Sequence, residues 1–212
     1  MNENKILAEK TIKALNKNNM NAFYLDKKEE VVPFVEKMLS KGSTVTTGGS
    51  MTLAECGVMD LLKSGEYNFL DRSKAEDIKK LYRESFFADF YLCSSNAVTE
   101  NGELYNVDGN SNRVAAICYG PEKIIMVVGI NKIVKNLDEA ITRLKEIAAP
   151  LNCKRLDCRS YCFSKGKCKG IDGEMTDGCS GDSRICCSYL ISAHQRIKDR
   201  INVIIVGENL GY

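Results

Sequence analysis

Hydrophobic residues follow two alternating patterns along the chain: short apolar runs, and longer stretches with one apolar face. The runs are rich in β-branched residues and predict five strands, at residues 22–25, 43–47, 89–94, 123–129 and 201–207. Between them, apolar residues recur at spacings of three and four, which predicts amphipathic helices. Strands that alternate with helices are typical of a mostly parallel sheet covered by helices on both faces. The pattern therefore predicts an α/β fold.

The last predicted helix begins near Leu137 and is expected to end at Pro150, because proline cannot continue a helical hydrogen-bond ladder. Between Pro150 and the final strand lies a segment, residues 152–188, that holds seven of the ten cysteines. We call it the cysteine segment. Since a strand follows it, we expect it to be an insertion before the last strand of a single domain covering residues 1–212.

Composition and charge narrow the class of protein. Hydrophobic residues make up 44% and charged residues 27%, as in a globular protein. The net charge of +2 offers no basis for binding nucleic acid or an anionic membrane surface. The amino terminus lacks the apolar core of a signal peptide, and the apolar run 124–130 is too short to span a bilayer. We therefore expect a cytoplasmic protein, in which cysteines serve as metal ligands or packing residues rather than disulfides.

A glycine turn follows the second predicted strand and consists of Gly48, Gly49 and Ser50. In an open α/β sheet, ligands bind at the carboxyl ends of strands, where glycines let the backbone approach a phosphate or carboxylate. The start of the next helix adds N–H donors. The turn has neither the P-loop nor the dinucleotide pattern, so a tight turn with Ser50 as the helix cap is the alternative. We expect these residues to bind a small anionic metabolite.

A second dense group of polar residues surrounds a predicted hairpin. Asn101-Gly102 between apolar runs is a type I′ hairpin signal. Glu100 directly precedes the turn and is the candidate base or nucleophile. Nearby polar side chains supply hydrogen bonds and one cation for an anionic ligand; they are Asn96, Thr99, Asp108, Asn112 and Arg113. The alternative is that these residues only form turns.

Three stretches together carry a resemblance to a known family. They are TTGGSMTL at residues 46–53, the long run that begins DFYLCSSNAVTENGELYNVDGNSNR at residue 89, and INVIIVGENLGY at residues 201–212. The chain resembles the lactate-utilization (LUD) domain family over essentially its whole length. This resemblance implies a fold similar to the ribose-5-phosphate isomerase and CoA-transferase group. It also implies a role in oxidising lactate or a similar acid, with iron–sulfur or flavin redox proteins as partners, and an oligomer is compatible with it.

The similarity to CoA transferases implies a specific role for one carboxylate. Their active-site glutamate stands in a setting like Glu100-Asn101-Gly102. Such a carboxylate could attack a thioester, or act as a base on a small acid or sugar phosphate. An enzyme of this kind with a purely structural metal is one alternative to the redox or accessory role, and a small-anion-binding module is another. The sequence leaves open whether the chain is an enzyme.

The cysteine segment is the candidate metal site. It has no pair of C-x2-C knuckles, which zinc ribbons need, and the single histidine, His194, excludes a Cys₂His₂ site. Thiolates are suitable ligands for zinc and for an iron–sulfur cluster, and either centre usually binds four of them. The resembled family carries a C…GKC…C…RIC pattern, which implies as ligands Cys162, Cys168, Cys179 and Cys186, with Cys187 as an alternate. We expect a [4Fe–4S] cluster, with structural zinc or no metal as alternatives.

Overall fold

The structure is a computed structural model that describes residues 3–212. The helices are α1 (Glu3–Lys17), α2 (Val31–Met38), α3 (Met51–Glu55), α4 (Val58–Leu62), α5 (Ile78–Glu84), α6 (Asn112–Cys118), α7 (Leu137–Arg143), α8 (Ala149–Leu156) and α9 (Tyr161–Lys165). The strands are β1 (Asn21–Leu25), β2 (Thr44–Thr47), β3 (Asn68–Phe69), β4 (Phe90–Cys93), β5 (Ala97–Thr99), β6 (Leu104–Asp108), β7 (Lys123–Gly129), β8 (Ile133–Val134), β9 (Ser188–Ser192) and β10 (Ile201–Val206). Within the described range, no helix is long and apolar enough to cross a membrane.

The main sheet has six parallel strands in the order β1-β10-β7-β4-β2-β3. All five predicted strands lie in it, and the two-residue β3 extends one edge. The central strands β10, β7 and β4 are almost entirely buried. Burial on both faces explains their continuous apolar runs, since neither side of such a strand meets water. The predicted α/β fold with a mostly parallel sheet is confirmed.

Helices cover both faces of this sheet. Because successive side chains of a strand point to opposite faces, β10 contributes to two separate hydrophobic layers. Val203 and Ile205 pack in the layer that contains residues of α1 and α6. Ile204 and Val206 pack in the other layer, with residues of α2, α3 and α4. The prediction of helices on both faces is also confirmed.

A second, four-stranded sheet has the order β8-β5-β6-β9. The predicted hairpin at Asn101-Gly102 joins β5 to β6, which pair antiparallel. The predicted type I′ turn is wrong, because Gly102 has a positive φ and Asn101 does not. Gly102 has φ +80°, and an added Cβ would lie 2.6 Å from the backbone of Ala14 and Leu15 in α1. Only glycine meets both demands, the left-handed conformation and the close approach to α1.

The cysteine segment precedes two strands, and not only the last one. It leads first into β9, which pairs antiparallel with β6, and the chain then continues to β10 in the main sheet. β9 reads SYLIS and has no fully buried residue, so it lacks the long apolar run that marks a central strand. Its sequence pattern therefore did not predict it.

The predicted end of a helix at Pro150 is wrong. α7 continues through a π-helical turn, Leu144–Ala148, into α8, and Pro150 occupies the second position of α8. In the π-helical turn the N–H of Ala149 donates to the carbonyl of Leu144, five residues earlier. The next donor in that register would be Pro150, which has no N–H. Pro150 therefore leaves the carbonyl oxygen of Lys145 without a helical donor.

Candidate functional site

A polar cavity of about 570 Å³ lies where several strands end. Its wall includes residues that follow β2, β4, β6 and β7, as expected for a ligand site in an α/β sheet. Six of the predicted ligand-binding residues line it: Gly49, Ser50, Asn96, Asp108, Asn112 and Arg113. The fold therefore brings together the glycine turn and the region after the hairpin, which lie about fifty residues apart along the chain.

The two glycines of the turn make room for arginine side chains. An added Cβ at Gly48 would lie 2.9 Å from the hydroxyl of Tyr91 and 3.0 Å from Cδ of Arg113. At Gly49 it would lie 3.1 Å from the guanidinium nitrogens of Arg72. Neither glycine adopts the left-handed conformation. The turn therefore needs glycine at these positions because it has no side chain, and not because of its backbone freedom.

The helix after the turn is shorter than expected. The helix expected after the glycine turn is divided into two short helices, α3 and α4, at Gly57, which has φ +75°. Ser50 caps α3, and its Oγ accepts a hydrogen bond from the N–H of Leu53 at 3.2 Å. A five-residue helix has few aligned peptide dipoles and contributes little charge at its start. Side-chain cations must therefore supply most of the attraction for an anion.

Arg113 is a cation of the cavity that four hydrogen bonds hold in place. Its guanidinium donates, at 2.7 to 3.1 Å, to four neutral oxygens: the carbonyls of Ser94 and Val107 and the side-chain amides of Asn96 and Asn106. Asp108 accepts hydrogen bonds from the backbone N–H groups of Arg113 and Val114 at the start of α6. Asn96 and Asp108 thus position Arg113, and the partners of the guanidinium leave its positive charge uncompensated.

Lys132 is a cavity residue that the sequence did not reveal. It follows the buried strand β7, is 3% exposed and lines the cavity. Its Nζ donates to Thr52 Oγ1 at 2.9 Å and to Ser94 Oγ at 3.0 Å. Burial lowers the pKa of Lys132 to about 7, and the nearby charges of Arg143 and Arg113 act in the same direction. Its place directly after a predicted central strand was the one available signal.

The candidate catalytic Glu100 lies outside the residues that line this cavity. Its carboxylate pairs with Lys10 of α1, and its N–H donates to the carbonyl of Val134 at 2.8 Å. Thr99 is buried within the same hairpin, where its hydroxyl donates to the Glu103 carboxylate at 2.6 Å. A catalytic role for Glu100 stays a prediction, and the structure places it against α1.

Five thiols surround a second, smaller cavity of about 20 Å³, and they belong to Cys153, Cys162, Cys168, Cys179 and Cys186. The Sγ atoms of Cys153 and Cys162 lie 3.4 Å apart, and both contact the hydroxyl of Ser160. Cys187 is exposed and directs its Sγ to the carbonyl of Arg184 at 3.4 Å. All ten cysteines are free. The four predicted ligands thus share one cavity with one additional thiol.

Lys145 fastens the cysteine segment to the body of the protein. Its carbonyl oxygen, which Pro150 leaves without a helical donor, accepts a hydrogen bond from the N–H of Cys168 at 3.0 Å. Its buried Nζ donates, at 2.5 to 3.0 Å, to three carbonyls of the segment, those of Gly170, Gly173 and Glu174. A hydrogen bond from a charged donor stabilises more than a neutral one, so this lysine stabilises the part of the segment from Cys168 to Glu174.

Arg184 lies between the two cavities. Its guanidinium donates to the carbonyls of Cys186, Cys179 and Thr176 at 2.7 to 2.9 Å. Arg184 and Ile185 line both the polar cavity and the thiol-lined cavity. The two sites therefore adjoin and share a wall.

The thiols have the chemistry of a soft-metal site but little space between them. Burial raises the pKa of Cys162 to about 11 and that of Cys186 to about 12, which keeps both thiols protonated at neutral pH. In the part of the chain that the structure describes, no three Cys, His, Asp or Glu residues are grouped so that they could hold a metal ion. The cavity has room for about one water. A metal centre would require the cysteine segment to open.

The chain is similar to known proteins in its family model and in its fold. The crystal structure of a DUF162 family protein from Deinococcus radiodurans matches 97% of this chain and 99% of its own, with 15% identity and a TM-score of 0.56. A D-ribose-5-phosphate isomerase in complex with phospho-erythronic acid matches 53% of this chain and 55% of its own, with 17% identity and a TM-score of 0.39. The comparison with curated proteins gives no match. The LUD domain model matches residues 8–206, a range that includes the cysteine segment, and the protein therefore belongs to the LUD domain family.

Proposed function

We propose that this LUD domain protein is a cytoplasmic redox or accessory protein in the oxidation of lactate or a similar small acid. The acid binds in the polar cavity, beside an iron–sulfur cluster held by Cys162, Cys168, Cys179 and Cys186. One observation carries the proposal: Arg184 and Ile185 line both the polar cavity and the thiol-lined cavity. An acid and a redox centre on the two sides of this wall would lie close together.

The charges of the polar cavity favour a carboxylate. Among its lining residues, the side chains of Arg72 and Arg113 lie against the glycine turn. The guanidinium of Arg113 has only neutral partners, so a carboxylate that binds there would be its first full counter-charge. Arg72 is exposed and lies against Gly49, from which it can reach a ligand at the mouth of the cavity. A volume of about 570 Å³ exceeds the need of a three-carbon acid and leaves room for a redox group of a partner protein.

The donor set of the smaller cavity supports the cluster. Four thiolates are the usual ligands of an iron–sulfur cluster, which when bound would supply one-electron transfer. A cluster carries its thiolates at the corners of a group larger than one ion, so its ligands need not converge on a single point. Lys145 and Arg184 both contact the cysteine segment, and their charges would offset the negative charge of bound thiolates. Structural zinc is the alternative cofactor.

Metal analysis tests this proposal. Protein purified without oxygen is expected to be brown, with broad visible absorption and with iron and acid-labile sulfide in similar amounts. Cys168→Ser should lose the iron, whereas Cys93→Ser should keep it, because Cys93 is a fully buried packing residue of β4. A colourless protein with one zinc per chain would overturn the redox role and leave a structural metal.

A small-anion-binding module is the second candidate, because the cationic cavity needs no metal to be complete. Two measurements together separate the two candidates. They are calorimetric titration of metal-depleted protein with lactate and with pyruvate, and a test of whether the chain takes up iron. Binding of either acid by a chain that never takes up iron would favour the module. Iron uptake together with acid binding would favour the redox role.

A further inference from the structure

The amine of Lys132 is buried and has two neutral partners. Its Nζ lies 2.9 Å from Thr52 Oγ1 and 3.0 Å from Ser94 Oγ, and both hydroxyls belong to buried residues. A neutral amine has two N–H donors and one lone pair, so these two hydroxyls satisfy its donors completely. An ammonium has a third N–H, for which neither hydroxyl is available. The hydrogen-bond partners of Nζ therefore match the neutral form of the Lys132 amine.

A lysine that only supports the fold would be expected to pair with a carboxylate, because a buried charge needs a counter-charge. The nearby carboxylate of Glu55 instead accepts a hydrogen bond from the N–H of Gly211 at 2.7 Å. Lys132 nonetheless lines the polar cavity, where a ligand can reach it. A buried amine that is kept neutral and open to a ligand cavity has the properties of a nucleophile.

We propose that Lys132 is the nucleophile of an imine-forming site that takes 2-oxo acids. The proposal rests on the proposed function for one point, the small carboxylic acid in the polar cavity, and deepens it by naming the ligand class. Oxidation of a 2-hydroxy acid such as lactate yields a 2-oxo acid, so the site would retain the product of the same cavity.

The chemistry is balanced without an oxidant. The lone pair of Nζ attacks the carbonyl carbon, a C–N bond forms, and the carbonyl oxygen takes up a proton to give a carbinolamine. Loss of water from this adduct gives the imine, and return of water releases the 2-oxo acid and the free amine. The hydroxyls of Ser94 and Thr52 lie within hydrogen-bond distance of Nζ and can pass the protons.

The charges around Nζ favour this reaction at neutral pH. Desolvation is the largest influence that lowers the pKa of Lys132, to about 7, and Arg143 and Arg113 lower it as well. The groups with the opposite influence are Glu55 and Cys56. An ordinary lysine has a pKa of about 10.4 and is almost fully protonated at neutral pH. Lys132 therefore carries a usable lone pair where surface lysines do not.

Reductive trapping with pyruvate tests the proposal on the full-length protein. Cyanoborohydride reduces an imine to a stable amine, and peptide mass mapping then locates the adduct. At pH about 8, above the pKa of Lys132 and below that of ordinary lysines, one pyruvate is expected on Lys132. Lactate, which has a hydroxyl group in place of the keto group of pyruvate, should give no adduct. The yield should rise with pH through about 7.

Two variants complete the test. Lys132→Met removes the amine and should abolish the adduct, whereas Lys135→Met, at an exposed lysine three residues later, should leave it unchanged. Should pyruvate bind in calorimetry and yet leave Lys132 unmodified, or should surface lysines react equally well, the imine proposal is overturned while the proposed function stands. Failure of both lactate and pyruvate to bind would overturn both proposals.

Discussion

The backbone N–H of Cys168 donates to the carbonyl oxygen of Lys145 at 3.0 Å, in the place that Pro150 leaves open in the helix. A helix irregularity thus becomes the attachment point of the cysteine segment. The Nζ of the same lysine also donates hydrogen bonds to three carbonyls of the segment. The π-helical turn, the proline and the buried lysine together position the thiols beside the polar cavity.

Replacement of Lys145 by methionine should loosen the cysteine segment. The change keeps the apolar length of the side chain and removes three charge-assisted hydrogen bonds, each of which contributes about 1.5–3 kcal/mol. We expect amide hydrogen exchange in residues 168–176 to accelerate at least about tenfold, which corresponds to about 1.4 kcal/mol. Lys154→Met, at an exposed position of α8, is the control. Equal exchange in the two variants would contradict the role of Lys145.

Cys186 and Cys187 are adjacent in the chain but face different surroundings. Cys186 lines the thiol-lined cavity, whereas Cys187 is exposed. Cys186→Ser should therefore reduce the metal content of anaerobically purified protein, and Cys187→Ser should not. Metal content is measured by elemental analysis of the two variants prepared side by side. Loss of metal in the Cys187 variant alone would show that the opened segment uses Cys187 as a ligand in place of Cys186.

A side chain at Gly49 should block the polar cavity. The Cβ of Gly49→Val would lie 3.1 Å from the Arg72 guanidinium, which would shift by a few tenths of an ångström, and the isopropyl group would fill space that the anion needs. We expect the binding of lactate and pyruvate in calorimetry to be lost, and the fold to survive because Gly49 has no left-handed backbone conformation. In Gly181→Ala, where an added Cβ meets no atom within 4 Å, binding should be retained. Undiminished binding by Gly49→Val would mean that the glycine turn has only a structural role.

Glu100→Gln distinguishes a catalytic carboxylate from a hairpin residue. It keeps the size of the side chain and removes its charge and basicity. A general base usually contributes at least about a hundredfold in rate. Because Glu100 pairs with Lys10 away from the polar cavity, we expect unchanged ligand binding and metal content. A hundredfold loss of rate in a reaction that the native protein catalyses would establish the catalytic role.

The buried Lys132 should lower the stability of the fold in a pH-dependent way. Its folded-state pKa, about 7, lies below the unfolded value of 10.5. The unfolded chain therefore binds the additional proton between these values, and stability falls as the pH falls from 10.5 towards 7. At pH 7 and below the full cost is present, on the order of a few kcal/mol.

Lys132→Met removes this cost but also two hydrogen bonds. We expect the difference in unfolding free energy between Lys132→Met and wild type to favour the variant most at pH 7, and to shift towards wild type as the pH rises to 10.5. Denaturant unfolding across this range measures the difference. Lys135→Met should show no such trend, and a pH-independent difference for Lys132→Met would mean that the folded-state pKa is ordinary.

Five of the six strands of the main sheet could be predicted from the local sequence pattern. Each of its central strands is buried on both faces, so the apolar runs at residues 89–94, 123–129 and 201–207 mark them without any knowledge of their neighbours. The hairpin at Asn101-Gly102 was also predicted from adjacent residues, but its turn is not the expected type I′, because only Gly102 has the positive φ that this type requires of both residues. The half-exposed β9 carries no such local signal.

Which polar residues share a site depends on the folded arrangement of the chain. Glu100 and Arg113 lie in one polar stretch of the chain, yet the hairpin turns Glu100 towards α1 while α6 carries Arg113 into the cavity. Lys132 looks like any surface lysine until the fold buries it against Thr52 and Ser94. The local sequence pattern predicts burial and turns, because these depend on residues that are neighbours in the chain. The pKa of a lysine and the meeting of two cavities at Arg184 depend on residues distant in sequence, which only the folded chain brings together.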